Sequence, residues 1–158
     1  MSLEEFKSID AKDLPVSKLI SMIARGHAIY INRHLDDLNI NATQLHLLFE
    51  ISHQCDINQD KIAERCNINK GAVARSIKKL EEKGLVKREI DENNRRQNKV
   101  SLTPLGEKTL EESVKILNQW EDEIIQDECY IEKELLQKIL KEIAVKIMEL
   151  NQEECKNG

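Results

Sequence analysis

The chain has 158 residues, of which 40% are hydrophobic and 34% are charged, with only 5 Gly and 2 Pro. This composition favours one mostly helical protein that is long enough to bury a core without metal or disulfide staples. The longest apolar runs are a few residues and the N-terminus is acidic and mixed, which argues against a membrane span or a secretory signal. We therefore expect a cytoplasmic protein in which the 4 Cys are free thiols.

The charge is distributed unevenly along the chain. The net charge is −5, but residues 58–103 hold 12 Lys and Arg against 7 Asp and Glu, which is a local balance of +5. The remainder has a balance of −10. A basic centre between acidic ends is typical of a chain that presents one face to a polyanion such as nucleic acid.

The first long helix is predicted to begin at Asp13 or Ser17 and to end at Leu38, with Pro15 in its first turn. Its apolar residues recur every three or four positions, which defines one continuous stripe. A second, thinner apolar face carries Met22, Gly26 and Ile29. A helix that is apolar on two sides is buried on two sides, so we expect one face to contact a partner subunit and the other to contact its own domain.

Three shorter helices are predicted over residues 42–54, 59–66 and 70–83. Their ends are indicated by a capping box of Asn41 and Gln44, an N-cap at Asn58 and a C-terminal Gly84. Residues 55–58 are predicted to be a short connection. Residues 67–69 are predicted to be a three-residue turn, in which Asn67 tolerates the left-handed conformation.

A hairpin follows the fourth helix. Residues 85–90 and 97–102 alternate as strands do, and the charged loop 91–96 joins them. Val86 and Ile90 share one face of the first strand. The pattern therefore predicts two antiparallel strands with a long polar tip.

Two further helices are predicted after the hairpin. Thr103 and Pro104 begin the fifth helix as N-cap and first helical residue. Its predicted stripe is Leu110, Val114, Leu117, Trp120 or Glu121, and Ile124. A last helix is predicted over about residues 131–150, and the final eight residues are expected to be frayed.

The strongest functional signal is the stretch 59–83, which has the pattern of a helix–turn–helix. The residues that hold its two helices together are predicted to be Ile62, Ala63, Cys66, Ile68 and Val73. In this motif the second helix enters the major groove of DNA and its N-terminal residues reach base edges. The residues predicted to contact DNA are Lys61, Asn69, Lys70, Gly71, Ala74, Arg75, Lys78 and Lys79.

These residues have different predicted roles. Arg75 suits a guanine edge, because Arg makes bidentate contacts there, whereas lysines suit phosphates. Taken alone, a basic run on a helix is more often a solvated face. The three-residue turn, the small Ala63 and the following hairpin favour DNA binding instead. A hairpin in this position is a wing, and its Arg95 and Arg96 suit the narrow minor groove.

The motifs of this region resemble those of the MarR (multiple antibiotic resistance regulator) family. The resemblance is carried by residues 62–70, 80–88, 91–96 and 100–106. It implies a dimeric winged-helix repressor or activator of neighbouring genes, with a ligand cleft between the dimerisation helices and the DNA-binding lobe. The wing of the family usually reads Asp-x-Arg, and in this chain Asn94 replaces the Asp while Arg96 matches the Arg.

The predicted fold class is therefore mainly α with a small β-hairpin wing, in a single domain over residues 1–158. A winged helix–turn–helix lobe over residues 41–103 would bind DNA. The N- and C-terminal helices over residues 13–38 and 104–150 would form the dimer. The long apolar stripes of these helices exceed what one lobe can cover, so a homodimer that binds a near-palindromic operator in double-stranded DNA is expected.

Enzymatic and metal-dependent functions have little support. No nucleotide-binding, hydrolase or metalloprotease motif occurs, so no catalytic residue and no cofactor is predicted. His27 and His34 are seven residues apart, as are His46 and His53. Seven residues of helix span about 10.5 Å, so neither pair can share one zinc ion and no metal site is predicted.

Two alternatives remain open at this point. One is a protein-interaction module that uses a winged-helix fold, and the other is a thiol- or metal-responsive regulator of the same fold. Cys55, in the short connection, is the best candidate for a reactive thiol, whereas Cys66 is expected to be a small core residue.

An effector site is predicted on the first helix. Arg25 is the only charged residue between Leu19 and Ile31, and it shares the thinner apolar face. A guanidinium there needs a partner, which is either a ligand carboxylate or a salt bridge. The family resemblance favours a small phenolic or aromatic acid, so Arg25 is predicted to bind it, with His27 and Tyr30 beside it. The predicted function is a repressor that such an effector releases from DNA.

Overall fold

A computed structural model describes residues 2–54, 57–90, 98–125 and 132–157. The helices are α1 (Leu3–Lys7), α2 (Val16–Leu35), α3 (Ala42–His53), α4 (Gln59–Cys66), α5 (Lys70–Glu82), α6 (Pro104–Ile124) and α7 (Lys133–Asn157). The strands are β1 (Ile57–Asn58), β2 (Val86–Ile90) and β3 (Asn98–Leu102), and 3₁₀ turns cover Ala11–Asp13 and Asp36–Leu38. The predicted fold class, mainly α with a small hairpin wing, is confirmed.

The chain divides into two compact units, Met1–Asn118 and Gln119–Gly158. In the first unit, α3, α4 and α5 pack on one another and on the sheet. The largest fully buried aliphatic side chains are Ile31, Leu35, Leu47, Leu48, Ile51, Ile57, Ile62, Val73, Ile77, Leu80 and Val100. Burial of each such aliphatic side chain contributes roughly 1.5–3 kcal/mol, so this core holds the lobe together.

The sheet has three antiparallel strands in the order β1-β3-β2. Val100 of the central strand lies opposite Ile57 on one side and Arg88 on the other. The prediction that residues 55–58 only connect two helices is wrong for the last two of them, because they form β1. A two-residue strand is too short to produce a periodic pattern.

Most predicted helix ends are confirmed. The Asn41 side chain accepts from the backbone N–H of Gln44, whose side chain caps Asn41 in return. Asn58 caps α4, and Asn67 ends it in the left-handed conformation with φ 50°. Gly84, at φ 71°, follows α5. These polar side chains satisfy backbone groups that a helix end leaves without partners.

The start of α2 differs from the prediction. Neither Asp13 nor Ser17 caps the helix, which begins at Val16 after Pro15. The carbonyl oxygen of Pro15 accepts from the backbone N–H groups of Lys18 and Leu19 instead. The regular helix also ends before Leu38, at residue 35, and the 3₁₀ turn Asp36–Leu38 completes it.

The N-terminal segment contains a helix that the sequence analysis missed. Ser2 caps α1 by accepting from the N–H of Glu5, whose carboxylate accepts from the N–H of Ser2. This is a capping box, and the spacing of Ser and Glu in the sequence was enough to predict it.

The contact face of α6 is made of small residues. Gly106, Thr109 and Ser113 are its buried residues. A Cβ atom added to Gly106 would lie 2.0 Å from the carbonyl oxygen of Leu85, so only Gly fits there. The residues of the predicted stripe, from Leu110 onward, are half-buried or exposed. The buried face of α6 carries small residues instead, because its backbone lies close to the backbone of Leu85.

The second unit consists of the end of α6 and α7. Lys133 pairs with Glu121 at 3.0 Å. The apolar residues of α7 that are exposed include Leu135, Ile139, Leu140, Val145, Ile147, Met148 and Leu150. The predicted end at residue 150 and the frayed terminus are corrected, because the helix continues to Asn157. The Gln, Glu and Lys residues of this last segment are good helix formers.

Candidate nucleic-acid interface

The helix–turn–helix is present, but Cys66 and Ile68, which were predicted to help hold its two helices together, are only half-buried. Ile62 and Ala63 of α4 are buried, and α5 buries Val73, Ile77 and Leu80 on the side that faces the core. The left-handed Asn67 reverses the chain between the two helices. Because its inner side is fully used for packing, α5 presents its opposite side to solvent.

This outer side of α5 carries the predicted DNA contacts. Its exposed residues there are Lys70, Gly71, Arg75, Lys78 and Lys79, while Ala74 is half-buried. Lys61 of α4 is exposed beside them. A cleft of about 680 Å³ between the first turns of α4 and α5 is lined by Lys61, Asn69 and Lys70, among others. The structure thus brings these predicted residues to one surface.

Asn69 has a defined structural role. Its Oδ1 accepts from the backbone N–H groups of Gly71 at 2.8 Å and Ala72 at 3.4 Å, so it is the N-cap of α5. Asn69 was predicted from the sequence to be a DNA contact, and its role as an N-cap was not predicted. An Asn directly before a helix is a strong capping signal that could have indicated it.

Arg75 lies back over the first turn of its helix. Its Nη1 atom is 3.5 Å from the place that a Cβ atom of Gly71 would occupy. Among the described residues, no carboxylate pairs with Arg75. Lys70, in contrast, pairs with Asp60 at 3.1 Å, and Lys78 approaches Glu82 at 3.9 Å. Both of these pairs are largely exposed, so solvent screens them and either lysine can exchange its partner for a phosphate.

Hydrogen bonds of Thr103 connect the base of the hairpin to the lobe. The Thr103 hydroxyl donates to the carbonyl oxygen of Gly84 at 2.5 Å and accepts from the N–H of Gly106 at 3.1 Å. In the middle of β2, Arg88 pairs with Glu81 of α5. The predicted wing-tip residues Asn94, Arg95 and Arg96 lie outside the described residues.

Two carboxylates of this surface, Asp60 and Glu81, form ion pairs that were not predicted from the sequence. Each pairs with a basic residue of a different element, Lys70 and Arg88 respectively. Pairs within one helix are visible as a spacing of three or four residues. Pairs between elements depend on the tertiary fold, so no spacing in the sequence indicated them.

The predicted effector residues do not meet in one place within a single chain. Arg25 is exposed and lines a shallow cleft of about 440 Å³ on α2, together with Lys18, Met22 and Ile29. His27 and Tyr30 are not part of that lining. Helix geometry explains this, because they point about 160° and 140° away from Arg25 around the axis. Tyr30 stacks on His34 instead, with ring centroids 4.0 Å apart.

The described residues also bear on metal binding, thiol reactivity and membrane insertion. Within the described residues, no group of three or more His, Cys, Asp or Glu residues could hold a metal ion. Burial raises the pKa of the Cys66 thiol, and the nearby carboxylate of Glu50 adds to this shift. Cys66 is therefore a poor nucleophile at neutral pH, while Cys55 lies outside the described residues. None of the described helices has the length and apolar character to cross a bilayer.

A model of the MarR family matches residues 40–97. YybA of Bacillus subtilis (strain 168), an uncharacterised helix–turn–helix-type transcriptional regulator, is 35% identical over 89 residues, which cover 56% of this chain and 59% of that protein. The match thus spans less than two thirds of that relative. BilQ of Clostridium symbiosum (strain WAL-14163), also a transcriptional regulator of this type, is 25% identical over 73% of this chain and 80% of that protein.

Solved structures are similar over nearly the whole chain. A crystal structure of MarR is 32% identical, with a TM-score of 0.81, and the alignment covers 92% of this chain and 99% of that one. A cysteine mutant of Escherichia coli MarR in complex with operator DNA is 25% identical, with a TM-score of 0.72 and coverage of 85% and 99%. The MepR–DNA complex of Staphylococcus aureus, 20% identical with a TM-score of 0.74, shares the fold.

Proposed function

The chain belongs to the MarR family of transcriptional regulators, and on that basis we propose that it binds double-stranded DNA as a homodimer, with α5 in the major groove. The observation that carries the proposal is the two-sided character of α5. One side is fully buried in the lobe, and the other exposes Lys70, Arg75, Lys78 and Lys79. Family membership makes the chain a regulator and not an enzyme.

The basic residues make two kinds of contact with DNA. Arg75 reads a base edge, because its guanidinium lies at the N-terminal part of α5 and no carboxylate among the described residues competes for it. Lys61, Lys70, Lys78 and Lys79 contact phosphates, which fix the position of the protein without specifying sequence. Gly71 and Ala74 keep the surface of α5 low enough for the backbone to approach the groove.

The experiment that tests this division is DNA selection followed by titration. A random-sequence duplex pool is selected with the wild-type protein, and the selected duplex and a scrambled one are then titrated at several salt concentrations. Arg75→Ala should cost about 1–3 kcal/mol on the selected duplex and little on the scrambled one. Lys78→Ala should weaken both duplexes alike and reduce the salt slope by about one.

Lys108→Ala is the matched control, because Lys108 is an exposed lysine on α6 and its loss changes the net charge equally. It should leave the selected duplex bound within about twofold. If Arg75→Ala preserves full discrimination between the two duplexes, Arg75 is not the reading residue. If the wild-type protein selects no duplex at all, the DNA-binding proposal fails.

Dimerisation is proposed from the apolar surface that the terminal helices leave uncovered. Residues 13–38 and 104–150 contain these helices, and Val16 and Ile23 of α2 are exposed large apolar residues. An isologous dimer would cover the same residues in both copies. It would present two copies of α5 to successive major grooves and so require a near-palindromic operator. A monomer by light scattering at micromolar concentration would contradict this.

The wing contact stays a proposal from the sequence. Arg96, with Arg95 as the second choice, would enter the minor groove beside the groove that holds α5. Arg96→Ala should therefore weaken binding most on duplexes with A·T-rich flanks, where that groove is narrow. An equal loss on all flanks would mean that Arg96 contacts phosphate only.

An effector that releases the DNA is the most specific part of the proposal. The α2 cleft combines the cation of Arg25 with apolar Met22 and Ile29, and Gly26 leaves it open. An aromatic acid could bury its ring there and pair its carboxylate with the guanidinium. An effector that favours the DNA-incompetent state must, by linkage, bind less tightly when DNA is bound.

Calorimetric titration with salicylate tests this site directly. Wild type should bind, Arg25→Ala should not, and DNA should weaken binding to the wild type. Lys18→Ala removes another cation of the same cleft and should retain binding if Arg25 is the specific partner. If salicylate binds equally to the wild type and to Arg25→Ala, Arg25 is not part of the effector site and the alternative, a salt bridge, is favoured.

A further inference from the structure

Lys83, the C-cap residue of α5, links this helix to the end of α2. Its amino group donates to the backbone carbonyl oxygen of Asn39 and to Oε1 of Gln44, the second at 3.3 Å. Asn39 follows the 3₁₀ turn that completes α2, and Gln44 lies in the first turn of α3. One half-buried cation therefore joins the end of α5 to the place where the chain passes from α2 into the lobe.

Both oxygens that accept from Lys83 are held in place by other contacts. Asn39 has a left-handed backbone with φ 52°, and its N–H donates to the carbonyl oxygen of Asp36 at 2.9 Å. Gln44 is 3% exposed, and its Oε1 also accepts from the backbone N–H of Asn41 at 3.3 Å. In the part of the chain that the structure describes, no carboxylate pairs with Lys83. Hydrogen bonds from a charged donor are roughly twice as strong as neutral ones, so the link resists displacement.

The end of α2 also contacts the lobe through apolar packing and a second polar contact. Ile31 and Leu35 are the buried residues of α2. The Asn32 side chain accepts from the backbone N–H of Ala42 at 2.8 Å, which holds the start of α3 but does not reach α5. Apolar packing is non-directional, so it resists separation of α2 from the lobe more than it resists a change of angle. The link through Lys83 restrains that angle.

The angle between α2 and the lobe matters because α5 moves with the lobe, in which its inner side is fully buried. The first turn of α5 lies about 18 Å along the helix axis from Lys83, at about 1.5 Å per residue. A tilt of about 10° at Lys83 would therefore move that turn by about 3 Å, which is close to the rise of one base pair of DNA, about 3.4 Å. A small change of angle thus changes which spacing of half-sites fits a dimer.

We propose that Lys83 is a positioning residue for DNA binding, which fixes the lobe at one angle to α2 so that the dimer selects one spacing between its two half-sites. Lys83 lies at the opposite end of α5 from Arg75 and acts through Asn39 and Gln44. Contacts within one half-site do not depend on it, whereas the simultaneous fit of two half-sites does. This inference rests on the proposed function, in which α2 contributes to the dimer interface.

The test measures binding to duplexes that differ in spacing. The duplex selected by the wild type is compared with versions that gain or lose one base pair at the centre, and with one in which a single half-site is scrambled. Lys83→Met keeps most of the apolar stem and removes the charged donor. The wild type should bind the altered spacings clearly more weakly than the selected one. In Lys83→Met this loss should be at least about threefold smaller, while the duplex with one half-site is bound within about twofold of the wild type.

Two further lysine variants complete the test. Lys83→Arg retains a cationic donor and should recover much of the spacing preference. Lys108→Met is the matched control, because it removes the same charge from an exposed lysine that pairs with Glu112 of its own helix. It should keep the spacing preference of the wild type. Thermal unfolding shows whether each variant folds, and Lys83→Ala, which is expected to behave like Lys83→Met, takes its place if that variant does not fold.

The possible outcomes separate this inference from the proposed function. A full spacing preference in Lys83→Met overturns the inference. An equal loss of affinity for the complete duplex and for the duplex with one half-site also overturns it, because Lys83 would then only stabilise the lobe. A wild type that selects a duplex but binds all spacings equally has the same consequence. Failure of the wild type to select any duplex overturns the proposed function instead.

Discussion

The helix–turn–helix and the long helix α2 carry apolar stripes of the same period, but the structure uses them differently. In α5 the stripe residues Val73, Ile77 and Leu80 are completely buried by the chain's own lobe. In α2 only Ile31 and Leu35, near its C-terminal end, are buried, and Ile23 is 62% exposed. A periodic apolar stripe therefore predicts a helix with one buried face. It does not indicate whether that face is buried by the same chain or by another one.

The largest expected effect comes from the lobe core. Ile77→Ala should reduce the free energy of unfolding by about 2–5 kcal/mol, because it deletes buried carbon atoms and leaves a cavity. Ile90→Ala deletes the same atoms at an exposed site of the same unit and should change stability by less than about 0.5 kcal/mol. Urea titration of both variants provides the measurement. Similar losses of unfolding free energy in the two variants would contradict the distinction between buried and exposed apolar residues.

Two helical glycines sharpen the contrast. Gly106→Ala should cost about 3 kcal/mol, because its Cβ would collide with the backbone of Leu85 and α6 would have to move. Gly26→Ala on α2 meets nothing within 4 Å in the chain and should stabilise the helix by up to about 1 kcal/mol. Thermal unfolding at matched protein concentration compares them. A clear loss of thermal stability in Gly26→Ala would show that another surface packs tightly against α2 at this position.

These glycines also show how far the sequence could predict the fold. The helix ends were predictable wherever a short polar residue satisfies backbone groups locally, as at Asn41, Asn58 and Asn67. The inner face of α6 was not, because Gly106 is selected by contact with Leu85, which is distant in sequence. A search for periodic apolar residues finds helix faces made of large apolar side chains. It does not find a face such as that of α6, where small residues are needed because two backbones come close together.

The candidate site follows the same rule. The outward residues of α5 were predictable because the inward ones define the opposite side of the helix. The ion pairs of Asp60 with Lys70 and of Glu81 with Arg88 were not predictable, since each joins two different elements. The grouping of Arg25 with His27 and Tyr30 shows the converse, because neighbours in sequence point to different sides of one helix.

A smaller effect is expected on dimerisation. Ile23→Ala removes part of an apolar side chain from the proposed interface in both copies, which should weaken the dimer by about 1–2 kcal/mol, or roughly tenfold. Sedimentation velocity over a concentration series measures the dissociation constant. Ile90→Ala is the control, because it is equally apolar and exposed but lies on the hairpin. If both variants shift the constant equally, Ile23 is not at the interface.

The smallest effect concerns pH and the Glu81–Arg88 pair. The hydrogen bond from Arg88 lowers the pKa of the Glu81 carboxyl in the folded chain below its ordinary value. A carboxyl with a lowered folded pKa adds stability above the unfolded pKa, and that stability is lost as the pH falls through the folded pKa.

Wild type should therefore exceed Glu81→Gln by about 0.5 kcal/mol at pH 7, a modest figure because solvent screens the partly exposed pair. The difference should vanish as the carboxyl becomes protonated in acid. Urea titrations of both proteins at neutral pH and at about pH 3 measure it, and Glu82→Gln, which removes a longer contact to Lys78 at 3.9 Å, is the control. A difference that stays constant with pH would mean that Glu81 holds the hairpin through its shape and not through its charge.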